Sequence, residues 1–299
     1  MADALSWVVA QLLQGFVDLF TALANPMAWL NWANDPESVI RFIYYGASKE
    51  LLFVVIDLFL VLTVIGLIHR PFMWRTVRII EGFSNGVGRF FAWAGLIMVL
   101  QQVMIVFLQR IFRVSEISIG PFGMVFTKDL SWFGEELKLY NAMIVALVAA
   151  YTFVQGGHVR VDLVYARVSF RVKKVIDMFG SLFFIMPSML LIWLFGWFFM
   201  WRNLVTPKFS ASASLESMMR KAPFLKENIE LIGFSPNGFN AYFLFKVLLI
   251  SFAFMMILQG IAFFYRSLLE FIEGKGSENK YLDRDSLNDE TAEAAAAIH

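Results

Sequence analysis

Long apolar runs alternate with shorter polar segments along most of the chain, and this pattern predicts membrane-spanning helices. Five runs hold few or no charged residues, and each is close to the roughly 20 residues that cross about 30 Å of hydrocarbon. The runs cover residues 51–68, 90–108, 139–154, 178–201 and 247–265. The third is long enough if its helix begins near Trp132, and Pro187 is expected to kink the fourth. The sequence therefore predicts an all-α integral membrane protein.

The first 24 residues show an amphipathic pattern instead. Apolar residues recur at helical spacing from Leu5 to Leu23, whereas Gln11, Gln14 and Asp18 lie on the opposite face. Such a helix fits either an interfacial position or a sixth span whose polar stripe contacts other helices. Because the segment lacks the basic start of a signal peptide, it is expected to stay in the chain. The prediction is therefore five or six membrane helices.

Composition agrees with a lipid environment and excludes several classes of function. Of the 299 residues, 59% are hydrophobic and 16% are charged, whereas a soluble domain is about 25% charged. Because the chain has no cysteine, it has no disulfide, thiolate zinc site, iron–sulfur cluster or cysteine nucleophile. Three histidines leave few ligands for haem or zinc, and a net charge of +1 gives no reason to expect a nucleic acid. We therefore expect transport or assembly, and we assign no catalytic, metal or cofactor residue.

The distribution of lysine and arginine predicts the orientation of the helices. The segments 69–89 and 156–174 are rich in basic residues, which places both as cytoplasmic loops by the positive-inside rule. The segment 112–131 holds only two basic residues and is placed outside. The segment 202–240 follows on the outside, although it carries five basic residues, and the acidic tail from residue 272 returns to the cytoplasm.

A few polar residues in or beside the predicted spans are candidates for a structural network. Asp57 lies about 9 Å into its span, and we interpret it as a protonated or paired acid that faces another helix. Glu135 and Glu136 open the third span, where two explanations stay open. The helix dipole favours acids in a first turn, and Arg110 or Arg113 at the adjoining helix end could form an ion pair with them.

Further polar residues lie at the end of the third span and within the last one. Gly156 and Gly157 fit a helix C-terminal cap, and His158 and Asp162 follow at i,i+4 spacing. Two ligands without a third do not make a metal site, so a structured polar turn is the preferred interpretation. The amide of Gln259 is expected to hydrogen-bond to a neighbouring helix.

These motifs, in this order, resemble the small permease subunit of tripartite ATP-independent periplasmic (TRAP) transporters. Residues 132–137 are similar to that family's Trp-x-x-Glu-Glu-Leu stretch. Residues 157–162 are similar to its signature of a small residue, His, a hydrophobic residue, a polar residue, Val and Asp. Lys246 and the later Leu-Gln-Gly at 258–260 resemble the last helix of members associated with 2-oxo acids, mannitol-type or chloroaromatic substrates. The resemblance extends from residue 89 to about residue 266.

The resemblance implies a domain organisation. A four-helix TRAP small-subunit membrane domain is expected at 86–271. An N-terminal extension at 1–85 would add an amphipathic helix and one transmembrane helix, and 272–299 would be a disordered cytoplasmic tail. The chain departs from the compact family pattern in this extension and in long external segments at 115–130 and 202–240.

The resemblance also implies a function. The chain would be the non-catalytic scaffold of a sodium-coupled transporter in a bacterial inner membrane. A large permease subunit would move substrate and sodium by an elevator-type motion, and a periplasmic substrate-binding protein would deliver an organic acid or similar small solute. The residues expected in a subunit interface or structural polar network are Arg110, Trp132, Glu135, Glu136, His158, Asp162 and Gln259.

Two other classes of membrane protein remain as alternatives. The chain could be the membrane-anchor subunit of a respiratory enzyme, in which His69 and His158 would have to hold a haem. A stand-alone channel would need a polar pore, which the predicted helices do not show. The order and spacing of the motifs favour the transporter subunit.

Overall fold

The computed structural model describes residues 2–119, 126–155, 168–228, 239 and 242–283. Within these ranges six helices are long and apolar enough to cross a membrane. All five predicted spans are among them, and the N-terminal helix supplies the sixth. The chain is therefore a multi-pass, all-α membrane protein, as the apolar pattern predicts.

The chain begins with two long helices that flank two short ones. They are α1 (Ala2–Ala24), α2 (Met27–Leu30), α3 (Pro36–Tyr45) and α4 (Lys49–Ile68). The Asp35 carboxylate caps α3 by accepting a hydrogen bond from the Glu37 N–H at 2.9 Å, and Pro36 occupies the first turn. This cap uses the residue types that helix starts favour.

The next helix, α5 (Arg70–Arg110), is continuous over 41 residues. The predicted loop at 69–89 is therefore wrong, because residues 70–89 form the first half of a helix; the cytoplasmic side of this segment stays a prediction. Charge alone suggested the loop, but apolar residues at helical spacing face the protein interior. The buried ones are Met73, Trp74 and Val77. The boundary predicted between residues 85 and 86 falls inside α5, and the domain organisation stays a prediction.

Helix α6 returns antiparallel to α5 after a short hairpin. The hairpin strands are β1 (Glu116–Ile119) and β2 (Phe126–Asp129), and α6 covers Leu130–Val154. Gly88 of α5 packs on Tyr151 of α6 so closely that a Cβ at Gly88 would lie 2.1 Å from the Tyr151 Cβ. Since only glycine permits this approach, Gly88 fixes the register of the two helices.

The last two spans also pack against each other in antiparallel fashion. The first of them is a continuous helical run from Phe170 to Leu204. It consists of α7 (Phe170–Gly180), a π-helical segment (Ser181–Ile185) and α8 (Met186–Leu204). Pro187 follows the π-helical segment, and its missing N–H removes one helical hydrogen bond there. The second is α10 (Tyr242–Glu273).

A small cap lies at the end of the bundle where α8 finishes. Its elements are β3 (Val205–Thr206), α9 (Leu215–Met219), a 3₁₀ turn (Ala222–Phe224) and β4 (Lys226–Glu227), which pairs with β3. The cap packs on α3 through one apolar cluster that includes Ile40, Trp201 and Met218. Trp197 of α8 adds a hydrogen bond from its Nε1 to the Ile43 carbonyl at 2.9 Å.

The start of the polar tail is folded, which differs from the disorder predicted from residue 272. A 3₁₀ turn covers Lys275–Ser277, and Ser277 is buried. The Tyr281 ring packs edge-on against Trp74 of α5 with centroids 5.7 Å apart. Residues 275–283, here called the C-terminal strap, are therefore held by the helices. Residues 284–299 lie outside the described residues.

Candidate functional site

Three buried charged side chains and one partly buried one lie together where α4, α6 and α10 finish and α5 and α7 begin. This end of the bundle is called the basic end. Glu81 is 3% exposed, Arg266 is 6% exposed and Glu270 is 2% exposed. Lys174, from α7, joins them with a side chain that is 14% exposed. Such burial is costly for single charges and requires compensating partners.

The geometry supplies those partners. The Arg266 guanidinium donates from Nε to Glu81 Oε1 at 2.8 Å and from Nη2 to Glu81 Oε2 at 2.5 Å. The Nη1 atom of Arg266 lies 3.8 Å from Glu270 Oε1, and Lys174 Nζ lies 2.5 Å from Glu270 Oε2. Two acids and two bases thus alternate and connect α5, α10 and α7. We call these four residues the buried ion network.

The C-terminal strap covers this network and ties it to the chain. The Lys280 carbonyl accepts a hydrogen bond from Arg266 Nη1 at 2.9 Å, and the Asn279 N–H donates to Glu270 Oε1 at 3.1 Å. Further along, the Asp283 carboxylate accepts bonds from the side chains of Asn85 and Arg89. Two adjacent turns of α5 and the end of α10 are therefore linked through a segment of a few residues.

The charged groups of the buried ion network pair with one another. This pairing indicates a structural role. Charge-assisted, bidentate hydrogen bonds hold a fixed geometry. In the described ranges, no group of three or more His, Cys, Asp or Glu residues is placed to hold a metal ion. A cavity of about 240 Å³ lies beside the network, and Gln259 on its wall is 2% exposed. The Gln259 Oε1 atom accepts no hydrogen bond from the described residues.

The predicted ion pairs at the opposite end of the bundle do not form among the described residues. Glu136 instead accepts hydrogen bonds from Gln101 Nε2 and from the Tyr140 hydroxyl, each at 3.0 Å. The register of α5 and α6 places Gln101 opposite Glu136, so Arg110 lies farther along the helix. Arg110 is exposed, and Arg113 follows in the left-handed region with φ 53°. The hypothesis of a pair between these arginines and the acids is therefore wrong.

The other residues predicted for the polar network are placed as follows. Glu135 Oε2 accepts a hydrogen bond from the Phe239 N–H at 2.9 Å. Trp132 is 7% exposed and packs edge-on against Phe239, with centroids 5.4 Å apart. Glu135 and Glu136 therefore both accept specific hydrogen bonds. The helix dipole is not their only stabilising interaction. His158 and Asp162 lie outside the described residues.

Asp57 is buried against the first helix. It is 2% exposed, and a Cβ built on Gly15 of α1 would lie 2.2 Å from Asp57 Oδ2. The acid therefore faces another helix, as the sequence predicts. Its Oδ2 atom accepts no hydrogen bond from the described residues.

Sequence reasoning missed all four members of the buried ion network. Two signals point to them in retrospect. Glu81 is the only acid in a segment, 69–89, that holds four arginines. Arg266 and Glu270 stand at i,i+4 spacing just past the last apolar run, where a charge pair can share one helix face. Neither signal identifies the partner, because Glu81 and Arg266 are 185 residues apart.

Residues 122–224 match the family model described as tripartite ATP-independent periplasmic transporters, DctQ component. The match covers about a third of the chain and begins before α6. It confirms the predicted resemblance and supports a small membrane subunit of a TRAP transporter. No curated protein and no solved structure matches the chain. In TRAP systems the DctQ component works with a large permease and a substrate-binding protein.

Proposed function

We propose that the chain is the non-catalytic small membrane subunit of a sodium-coupled TRAP transporter in a bacterial inner membrane. The observation that carries this proposal is the family match at 122–224. The matched segment includes α6, whose first two turns hold Trp132, Glu135 and Glu136 in contact with neighbouring elements. The imported solute would be an organic acid or a similar small molecule, as the resemblance implies.

The buried ion network supports a static scaffold. A carrier has to rearrange the groups that bind its substrate, whereas bonds from Arg266 to Glu81, and from Lys174 to Glu270, hold helices in one arrangement. Breaking a buried pair costs roughly 3–5 kcal/mol, so motion between α5 and α10 is disfavoured. The moving, substrate-binding part of the transporter would then be the large permease.

The N-terminal extension enlarges this scaffold. Helix α1 packs on α4 at Gly15 and Asp57, and α3 packs beneath the cap that follows α8. The extension therefore has contacts at both the middle of a span and one end of the bundle. We propose that it broadens the surface that anchors the large permease in the bilayer.

Reconstitution tests the division of labour. Proteoliposomes would contain the chain alone, the large permease alone or both, each with the binding protein and a sodium gradient. A panel of radiolabelled 2-oxo acids and dicarboxylates would serve as the probe. We expect uptake only when both membrane subunits are present. Uptake by the chain alone, or full uptake without it, would refute the scaffold.

A visible absorption spectrum separates this proposal from a respiratory membrane anchor. The purified chain is expected to be colourless. A Soret band after purification from haem-producing cells would instead favour the anchor. In the structure the Nδ1 atom of His69 already accepts the Phe72 N–H at 3.2 Å as the cap of α5, which is a structural use of that histidine.

A further inference from the structure

The C-terminal strap forms one wall of the cavity beside the buried ion network. Glu278, Asn279 and Leu282 of the strap line this cavity of about 240 Å³. Its other lining residues belong to α5, α6, α7 and α10, and they include Ser267, which is 1% exposed. Because Glu278 and Asn279 are themselves exposed, the strap is a thin wall between the cavity and the surface.

The strap is attached to different helices at its two ends. It starts after Gly274, which directly follows α10. At its far end, the Asp283 carboxylate accepts hydrogen bonds from Asn85 Nδ2 at 2.9 Å and from Arg89 Nη1 at 3.1 Å, both of α5. The Asp283 carbonyl accepts a further bond from Gln155 Nε2, just past α6, at 3.0 Å. The strap therefore bridges from α10 to α5 and α6.

The backbone of the strap lies in the left-handed region at two positions. They are Asn279, with φ 58°, and Tyr281, with φ 59°. Asparagine adopts this region readily, whereas for a bulky side chain such as tyrosine it is a strained conformation that persists only where contacts hold it. The Tyr281 ring is held by Trp74 and by Arg78, whose Cζ atom lies 4.9 Å from the ring centroid. The observed strap conformation thus depends on its contacts with α5.

The buried ion network stays paired without the strap. Arg266 has both of its side-chain bonds to Glu81, and Glu270 has its ion pair with Lys174. The strap adds one backbone carbonyl and one backbone N–H to these pairs. Water can take the place of both groups. Movement of the strap therefore leaves the ion pairs between the helices intact.

We propose that the C-terminal strap is a lid, which opens about Gly274 and admits water to the cavity while α5, α7 and α10 stay in place. Gly274 suits a hinge, because its φ is 86° and a Cβ there meets no atom within 4 Å. The anchor at the far end is readily released, since the side chains of Arg89 and Asp283 are 43% and 52% exposed. The inference is independent of the proposed transport function, because it concerns a movement within this chain.

A thiol placed in the cavity measures the opening of the lid. The chain has no cysteine, so Ser267→Cys supplies a single thiol, and uncharged N-ethylmaleimide reports how often it becomes accessible in the full chain. We expect Ser267→Cys to react more slowly than Gly276→Cys, a position in the strap that is exposed and where a Cβ meets no atom within 4 Å.

Neutralising the anchor should open the lid. Both carboxylate oxygens of Asp283 accept hydrogen bonds, so either orientation of the amide in Asp283→Asn sets an NH₂ group against a donor. We expect this change to accelerate labelling of Ser267→Cys about tenfold, which corresponds to about 1.4 kcal/mol in the opening equilibrium. The matched control is Glu278→Gln, since Glu278 forms no ion pair with a described residue. It should leave the rate within about twofold.

A second buried thiol separates opening of the lid from unfolding. Ser38 of α3 is 0% exposed, and the labelling rate of Ser38→Cys should not respond to Asp283→Asn. Three results overturn the proposal. Ser267→Cys could react as fast as Gly276→Cys while the strap is unchanged, Asp283→Asn could accelerate neither buried thiol, or it could accelerate both equally.

Hydrogen exchange tests the same movement without a new thiol. Mass spectrometry would compare peptides from the strap and from residues 250–265 of α10 in the full chain. The strap should exchange faster, because local opening requires less free energy than opening of a buried helix. Asp283→Asn should raise exchange in the strap about tenfold and leave α10 unchanged. Equal exchange in the two peptides, no rise in the strap, or the same rise in both would contradict a lid that moves separately from the helices.

Discussion

Removing one charge of the buried ion network should destabilise the protein far more than removing a similar charge at the surface. Glu81→Gln keeps the size of the side chain but leaves the Arg266 guanidinium buried without its counter-ion. Because both partners are less than a tenth exposed and share two hydrogen bonds of 2.8 and 2.5 Å, we expect a loss of about 3–5 kcal/mol in the free energy of unfolding.

Glu37→Gln is the matched control. Glu37 also pairs with an arginine, Arg41, at 2.7 Å, but this pair is exposed, with side chains 50% and 29% accessible. Its loss should cost at most about 1 kcal/mol. Unfolding would be followed by far-ultraviolet circular dichroism as the detergent in mixed micelles is replaced by dodecyl sulfate.

A second variant separates charge from packing. Glu81→Leu/Arg266→Leu removes both charges, so no uncompensated ion remains buried. Its loss in the free energy of unfolding should be smaller than the summed losses of Glu81→Leu and Arg266→Leu, by well over 0.5 kcal/mol. If Glu81→Gln costs no more than Glu37→Gln, or if the leucine changes add, the network does not hold α5 to α10 and this explanation of the site fails.

Three further predictions concern packing, the acids of α6 and orientation. Gly88→Ala should cost about 1–3 kcal/mol of stability, because the added Cβ clashes with Tyr151. Gly86→Ala should be neutral or stabilising, because its Cβ meets open space. Equal melting temperatures for the two variants would contradict the α5–α6 register. Glu136→Gln and Arg110→Gln should have additive effects on the melting temperature, since the two residues do not contact each other, and a coupling above about 0.5 kcal/mol would restore the ion pair. Ser212→Cys should react with an impermeant maleimide in whole cells, and labelling only after lysis would invert the topology.

The apolar pattern was sufficient to predict the five spans. A long apolar run can be recognised from the sequence without knowing its partners in the fold. Hydrocarbon excludes charged groups and unpaired backbone groups, so each such run predicts a spanning helix. The Asp35 cap of α3 also depends only on residues within one turn. The same local reasoning failed at 69–89, where the count of arginines suggested a loop and the buried stripe of Trp74 and Val77 defines a helix.

Long-range partners could not be predicted from one sequence. The hypothesis that Arg110 pairs with Glu136 assumed that neighbouring helix ends meet, but the packing at Gly88 sets a register in which Gln101 reaches the acid. The buried ion network depends on contacts between distant helices in the same way. Patterns of charge identify candidates for pairing, whereas helix register decides which candidates meet.

Co-purification from native membranes tests whether the chain is the small subunit of a TRAP transporter. The chain, tagged at its C-terminus, would be extracted in mild detergent from the cells that encode it, and the intact assembly weighed by native mass spectrometry. We expect the 34.3 kDa chain in a stable complex with a large multi-span permease, identified by peptide sequencing. A chain that is recovered only by itself, or with respiratory subunits and bound haem, would contradict its assignment as a TRAP small subunit.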